Sequence, residues 1–198
     1  MTVGVIKIGV GNTASVMFAL ERLGARAVLT DEPRLIGECE RVILPGVGAA
    51  GFAMTALAEK GISRALLNFG RPVLGICLGQ QMLFDSSEEG DATGLGFFEG
   101  RVRKLKQSRQ SPAPHVGWTR LRQTGASPMF DGVADGAYAY FVHSYVCPVS
   151  DDTAAVAAYG EEFSAAVASG FIWGCQFHPE RSGAVGARIL ENFLALPC

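Results

Sequence analysis

Residues 72–84 read PVLGICLGQQMLF. The apolar run up to Ile76 predicts a buried strand and QQMLF the body of a helix, so Cys77 stands at the corner between them. Gly75 and Gly79 lie two positions to either side. A residue at a sharp strand-to-helix turn is held in a strained backbone conformation, and Cβ atoms two residues away would collide there. The spacing is that of a nucleophile elbow, G-x-S-x-G, with cysteine in the serine position. Such a corner lies at the C-terminal edge of an open α/β sheet, where ligands bind. It also lies at a helix N-terminus, whose partial positive charge favours thiolate. The Leu78 amide that opens the helix could then donate to an oxyanion. A second reading stays open on this stretch alone: two packing glycines around a small core cysteine.

Working outward, the first half alternates strand and helix. Residues 3–10, 25–30, 41–46 and 72–77 are near-continuous apolar strands. Val16, Ala19, Leu20 and Leu23 mark one helix face, and Ala53, Leu57 and Ala58 another. This alternation predicts a parallel sheet covered on both faces. The second half carries strand-like runs at 100–106, 116–122, 137–146, 153–160, 163–169 and 171–178, separated by turn signals. Residues 182–196 form a closing helix with Ile189, Leu190, Phe193 and Leu194 on its apolar face. The fold class is therefore α/β: a mostly parallel open sheet flanked by helices, with an antiparallel or mixed extension in the second half. No repeat or linker divides residues 1–198, so one domain is expected.

Composition narrows the function classes. A net charge of −2 offers nothing to attract nucleic acid or an anionic membrane, and the apolar runs are too short to span a bilayer. The start MTVGVIKIGV lacks the features of a secretion signal and reads as a strand, which points to the cytoplasm. Five scattered cysteines without C-x-x-C spacing argue against a disulfide framework or a zinc ribbon, and no metal or other cofactor is expected.

A nucleophilic thiol needs an imidazole base, and the imidazole needs a carboxylate to fix its tautomer. Only three histidines exist. His178, in FIWGCQFHPE, ends a strand, and Glu180 follows across a stiffening proline. His143 lies inside a strand with aromatic neighbours, which suits a satisfied sheet histidine or a backbone-positioning role. His115 falls on a proline-rich loop and is the weaker base. LPGVGAAG (44–51) follows the third strand at the same sheet edge. Its glycines expose amides, so Val47 and Gly48 could supply a second oxyanion donor. The loop lacks the Lys-Ser/Thr of a P-loop, and its simpler reading is a strand-to-helix turn.

GICLG together with FHPE resembles the signature pair of the class I glutamine amidotransferases, over nearly the whole chain. The resemblance implies that Cys77 attacks the side-chain amide of glutamine and forms a thioester, that His178 shuttles the proton and that Glu180 orients it. Finer features are similar to the glutaminase subunits of imidazole glycerol phosphate synthases, which serve histidine biosynthesis. These are GVGNTASV, LPGVGAAGFAM, GICLGQQMLFDSSEEG, GLGFFEGRV, PHVGW, AYFVHSY and FHPERSG. That likeness implies that Gln81, Glu89 and the Ser144-Tyr145 backbone hold glutamine. It further implies that Asn12, Trp118, Tyr140 and Arg181 face a (β/α)₈-barrel cyclase subunit in a heterodimer. Ammonia would pass directly to that partner, which makes imidazole glycerol phosphate and AICAR. Reorientation of the Gly46-Val47 peptide on partner binding would complete the oxyanion site. The chain departs from the family pattern at Lys7-Ile8, Gln80, Thr119 and Arg181, which bears on partner contacts rather than on the triad. Alternatives are a glutaminase subunit of another synthase (anthranilate or pyridoxal phosphate), a stand-alone cysteine hydrolase of γ-glutamyl substrates and a non-catalytic regulatory module.

Overall fold

The computed structural model describes residues 1–9, 13–46 and 48–197. In chain order the elements of the first half are β1 (Thr2–Ile6), α1 (Thr13–Arg22), β2 (Arg26–Thr30), α2 (Pro33–Glu38), β3 (Arg41–Gly46), α3 (Ala50–Glu59), α4 (Ile62–Leu67), β4 (Val73–Cys77) and α5 (Leu78–Met82). Then come β5 (Phe84–Ser87), β6 (Ala92–Thr93), β7 (Phe98–Lys104), β8 (His115–Arg120), β9 (Arg122–Gln123), β10 (Tyr138–His143) and β11 (Tyr145–Val146). The chain closes with β12 (Thr153–Ala158), β13 (Glu162–Ser169), β14 (Ile172–Cys175) and α6 (Gly183–Ala195).

Eight strands form the central sheet in the order β2-β1-β3-β4-β14-β13-β12-β9. The first five are mutually parallel, and the last three pairings are antiparallel. Because successive strand residues point to opposite faces, alternate positions feed two cores. Val3, Val5, Ile43, Leu74 and Ile76 join one, on the side of α1 and α6. Val42, Leu44 and Val73 join the other, with residues of α2, α3 and α4. Gly4 is small because a Cβ there would lie 3.0 Å from Cys39 Sγ.

The fold class expected from the sequence is the one observed, with a finer division in the second half. Three of its strand-like runs extend the central sheet as β12, β13 and β14. The others contribute to a two-stranded ribbon, β10-β8, and to a four-stranded sheet, β11-β7-β5-β6, while the end of the 116–122 run joins the edge of the central sheet as β9. Side-chain patterning explains the difference. Residues 153–157 and 163–167 are buried throughout, as strands covered on both faces must be. The ribbon instead alternates: Ala139, Phe141 and His143 are buried, while Tyr138 and Val142 face outward. The helix expected over QQMLF ends at Met82, and Phe84 already belongs to β5. No helix among the described residues is long and apolar enough to cross a membrane.

Candidate active site

Cys77 is the last residue of β4 and sits at φ 55°, ψ −110° immediately before α5. A positive φ on a residue with a Cβ is strained, and only a surrounding that over-determines it keeps it there. The glycines supply that surrounding. A Cβ on Gly75 would lie 2.6 Å from the carbonyl of Gly79, and one on Gly79 would lie 1.8 Å from the Leu44 oxygen. Gly46 pairs with Cys77 across β3 and β4, and a Cβ there would lie 2.8 Å from Leu78 Cβ. Helix α5 can therefore start directly against the backbones of β3 and β4.

Parallel pairing of β14 with β4 brings the second half of the site to this corner. Gly174 lies opposite Gly75 and Cys175 opposite Ile76, so the residues after Cys175 emerge beside Cys77. The His178 amide donates to the Tyr140 carbonyl at 2.9 Å, and its carbonyl accepts from Ser182 Oγ at 2.7 Å. Ser182 Oγ also accepts from the Tyr140 amide at 3.0 Å, which ties the ribbon to the His178 turn. His178 Nδ1 is 2.8 Å from Glu180 Oε1. A carboxylate can only accept here, so Nδ1 carries the proton and Nε2 is the nitrogen left for Cys77. Burial opposes the imidazolium, but hydrogen bonds to Cys77 and Glu180 and the charges of both outweigh it, and His178 is pushed up to about 10.

Cys77 and His178 open into a cavity of about 360 Å³ that Gly48, Leu78, Gln81, Glu89, Ser144, Tyr145 and Arg181 also line. The sequence-expected residues thus converge, with qualifications. Gln81 Nε2 donates to the Tyr145 carbonyl at 3.1 Å and to Gln176 Oε1 at 2.9 Å, so both its protons are committed and Oε1 alone is left for a ligand. Glu89 Oε2 accepts from the Ala50 amide at 2.8 Å, which ties it to the start of α3. The Ser144 carbonyl accepts from the Leu105 amide. The Tyr145 carbonyl takes a second bond from His143 Nδ1 at 2.9 Å, which fills both its lone pairs. Val47 and Asn12 lie outside the described residues. Trp118 is 54% exposed on the outer face of the ribbon, 5.8 Å from the Tyr140 ring, and Arg181 is exposed at the cavity rim.

His115 is not on a loop, as the sequence suggested. It opens β8, opposite His143, and is almost fully buried. Burial lowers both imidazoles, His115 to about 4 and His143 to about 3, so both are neutral at pH 7. His143 Nδ1 must donate to the Tyr145 carbonyl, so its Nε2 accepts from His115 Nδ1 at 3.0 Å. His115 Nε2 then accepts from Thr119 Oγ1 at 2.9 Å. The residue that the sequence reading missed is Gln176. It is fully buried between Gln81 and Cys77, with Nε2 3.6 Å from the sulfur. A glutamine inside the otherwise apolar run FIWGCQF was the available signal. Among the described residues no cluster of histidine, cysteine or carboxylate side chains could hold a metal ion.

The strained Cys77 at the sheet edge and the His178–Glu180 pair thus meet at one cavity, and the family comparison gives the class. The chain belongs to the class I glutamine amidotransferases, whose family model matches residues 11–196. More particularly, it is 49% identical over 196 residues to the imidazole glycerol phosphate synthase subunit HisH of Xylella fastidiosa (strain Temecula1), covering 98% of this chain and 97% of that one. The subunits HisH of Shewanella oneidensis and Vibrio cholerae are 44% and 42% identical, each over 97% of this chain and 95% and 97% of theirs. In fold it is similar to a glutamine amidotransferase crystal structure, with TM-score 0.75, 20% identity and coverage of 97% and 96% of the two chains. PurLQS from Thermotoga maritima gives TM-score 0.71 at 20% identity over 98% of this chain and 97% of that one.

Proposed function

We infer that this chain is the glutaminase subunit of imidazole glycerol phosphate synthase. It acts as one amidotransferase domain in the cytoplasm and delivers ammonia to a (β/α)₈-barrel cyclase in a heterodimer. The observation that carries the chemical assignment is the convergence of the strained Cys77 with the His178–Glu180 pair at one cavity.

The geometry supports the following steps. His178 Nε2 takes the Cys77 proton, and the thiolate attacks the δ-carbon of the glutamine amide. The carbonyl π electrons move to oxygen, where the Leu78 amide, with Val47 or Gly48, donates to the oxyanion. Collapse expels the amide nitrogen as ammonia, with the proton returned by His178, and leaves a γ-glutamyl thioester on Cys77. Water then attacks the thioester with His178 as base, and glutamate leaves as the thiolate reforms. Glu180 accepts from Nδ1 throughout and stabilises the imidazolium. Gln81 Oε1 accepts from the α-ammonium of glutamine, and Glu89 adds a negative charge at the same end.

The exposed ribbon face, with Val116, Trp118, Tyr138 and Val142, is the surface assigned to the cyclase, with Tyr140 and Arg181 beside it. The deciding experiment is ammonia release from glutamine by the purified chain, alone and with a cyclase subunit plus its nucleotide substrate. Release should be slow alone and rise by about 10²-fold or more in the complex. Absence of release in the complex, with Cys77 inert to a glutamine-analogue electrophile, would leave a non-catalytic module.

A further inference from the structure

We propose that Gln176 is a positioning residue that donates a hydrogen bond to the Cys77 thiolate and at the same time fixes the orientation of Gln81.

Amide orientation is an open choice for most glutamines, because oxygen and nitrogen are interchangeable in shape. Here a backbone carbonyl removes the choice. Gln81 lies 3.1 Å from the Tyr145 oxygen, which can only accept, so the Gln81 atom facing it is nitrogen. The same nitrogen lies 2.9 Å from Gln176, so the Gln176 atom facing it is oxygen. The Gln176 amino group is then turned to Cys77 Sγ, at 3.6 Å. The polarity set by one carbonyl thus runs through two buried side chains and ends with a donor aimed at the sulfur. The Gln176 side chain is wholly buried, and its own backbone amide is held by the Ala165 carbonyl at 2.8 Å.

The donor matters to the sulfur's charge. Among the described residues the Val142 carbonyl also faces Sγ, accepting from it at 3.5 Å, which favours the thiol. The titratable groups that interact with Cys77 are His178, backed by Glu180, and the buried thiols of Cys147 and Cys175. His143 also lines the cavity. None of the thiols or His143 stabilises an anion as a neutral N–H donor does. Gln176 therefore supports the thiolate without supplying a charge, and the same residue holds the Gln81 oxygen toward the cavity.

The test is the pH profile of Cys77 alkylation by iodoacetamide in the intact chain. Gln176→Met keeps length and loses both bonds. The midpoint should rise by about one pH unit, a tenfold loss of thiolate at a given pH below it, and KM for glutamine should rise in the complex as Gln81 loses its anchor. Gln80→Met removes a neighbouring buried amide that contacts Ser164 rather than the sulfur, and should leave the midpoint in place. A folded Gln176→Met whose midpoint does not move overturns the proposal, as does an equal rise in Gln80→Met. Should Gln176→Met not fold, Gln176→Glu keeps the acceptor for Gln81 and replaces the donor. Its midpoint should rise with KM little changed, and an unmoved midpoint is again decisive against. The KM arm rests on the glutaminase reading, whereas alkylation does not. Loss of turnover in the wild type would therefore refute that reading and leave this one standing.

Discussion

The Cβ that Gly79 lacks would lie 1.8 Å from the carbonyl oxygen of Leu44. That distance states how closely α5 is seated on β3, and it is what allows the helix to begin at the residue after Cys77. Gly79→Ala cannot be absorbed by a rotamer change, because both contacting groups are backbone. It should destabilise the chain by about 3 kcal/mol or more in urea unfolding. Any folded fraction should show Cys77 alkylation altered from wild type, because the corner must open to relieve the clash.

Glu180→Gln preserves the shape of the pair but offers Nδ1 an amide that can present either its donor or its acceptor. The Nδ1 tautomer is then no longer fixed, and the charge that stabilised the imidazolium is lost. Glutamine-dependent turnover in the complex should fall by about 10²–10⁴-fold. Synthesis supplied with ammonium should stay intact, as measured by product formation in the cyclase partner.

Cys77→Ala removes the thiol proposed as nucleophile from a residue whose Cβ the backbone already accommodates. Glutamine-dependent synthesis should be abolished while added ammonium still supports the partner reaction. Loss of both activities would assign Cys77 a structural role.

His115 and His143 are held below their ordinary value of 6.5, at about 4 and about 3, by burial. Between those values and 6.5 the unfolded chain binds protons that the folded chain does not. Stability should therefore fall as pH drops through that window and be fully present above about 6.5. Each histidine contributes at most about 1.4 kcal/mol per pH unit. Urea unfolding at pH 7 and pH 5 measures it, and His115→Asn should flatten the slope.

Trp118 presents a large, half-exposed aromatic surface on a ribbon whose opposite face carries the buried histidines. If that face receives the cyclase, Trp118→Ala should weaken the complex by about 2 kcal/mol, roughly 30-fold in Kd. Alkylation of Cys77 in the free chain should be unaffected.

What could be read from the sequence was local. The glycines at 75 and 79 declare the corner because steric exclusion acts over two to four residues, and His178-Pro179-Glu180 carries its own pairing. Near-continuous apolar strands announced the parallel sheet, since a strand covered on both faces has no polar side. Tertiary structure alone decided which strands leave that sheet, and it buried His115 by pairing it with His143 rather than leaving it on a loop. It also placed Gln176, Gln81 and the Tyr145 carbonyl in one chain of bonds leading to the sulfur. The physical reason is distance along the chain: Gln176 and Cys77 are 99 residues apart. Only the register of β14 against β4 brings them within reach. Strand propensity says that a segment pairs, whereas which partner it takes and in which register depends on every other buried face in the molecule.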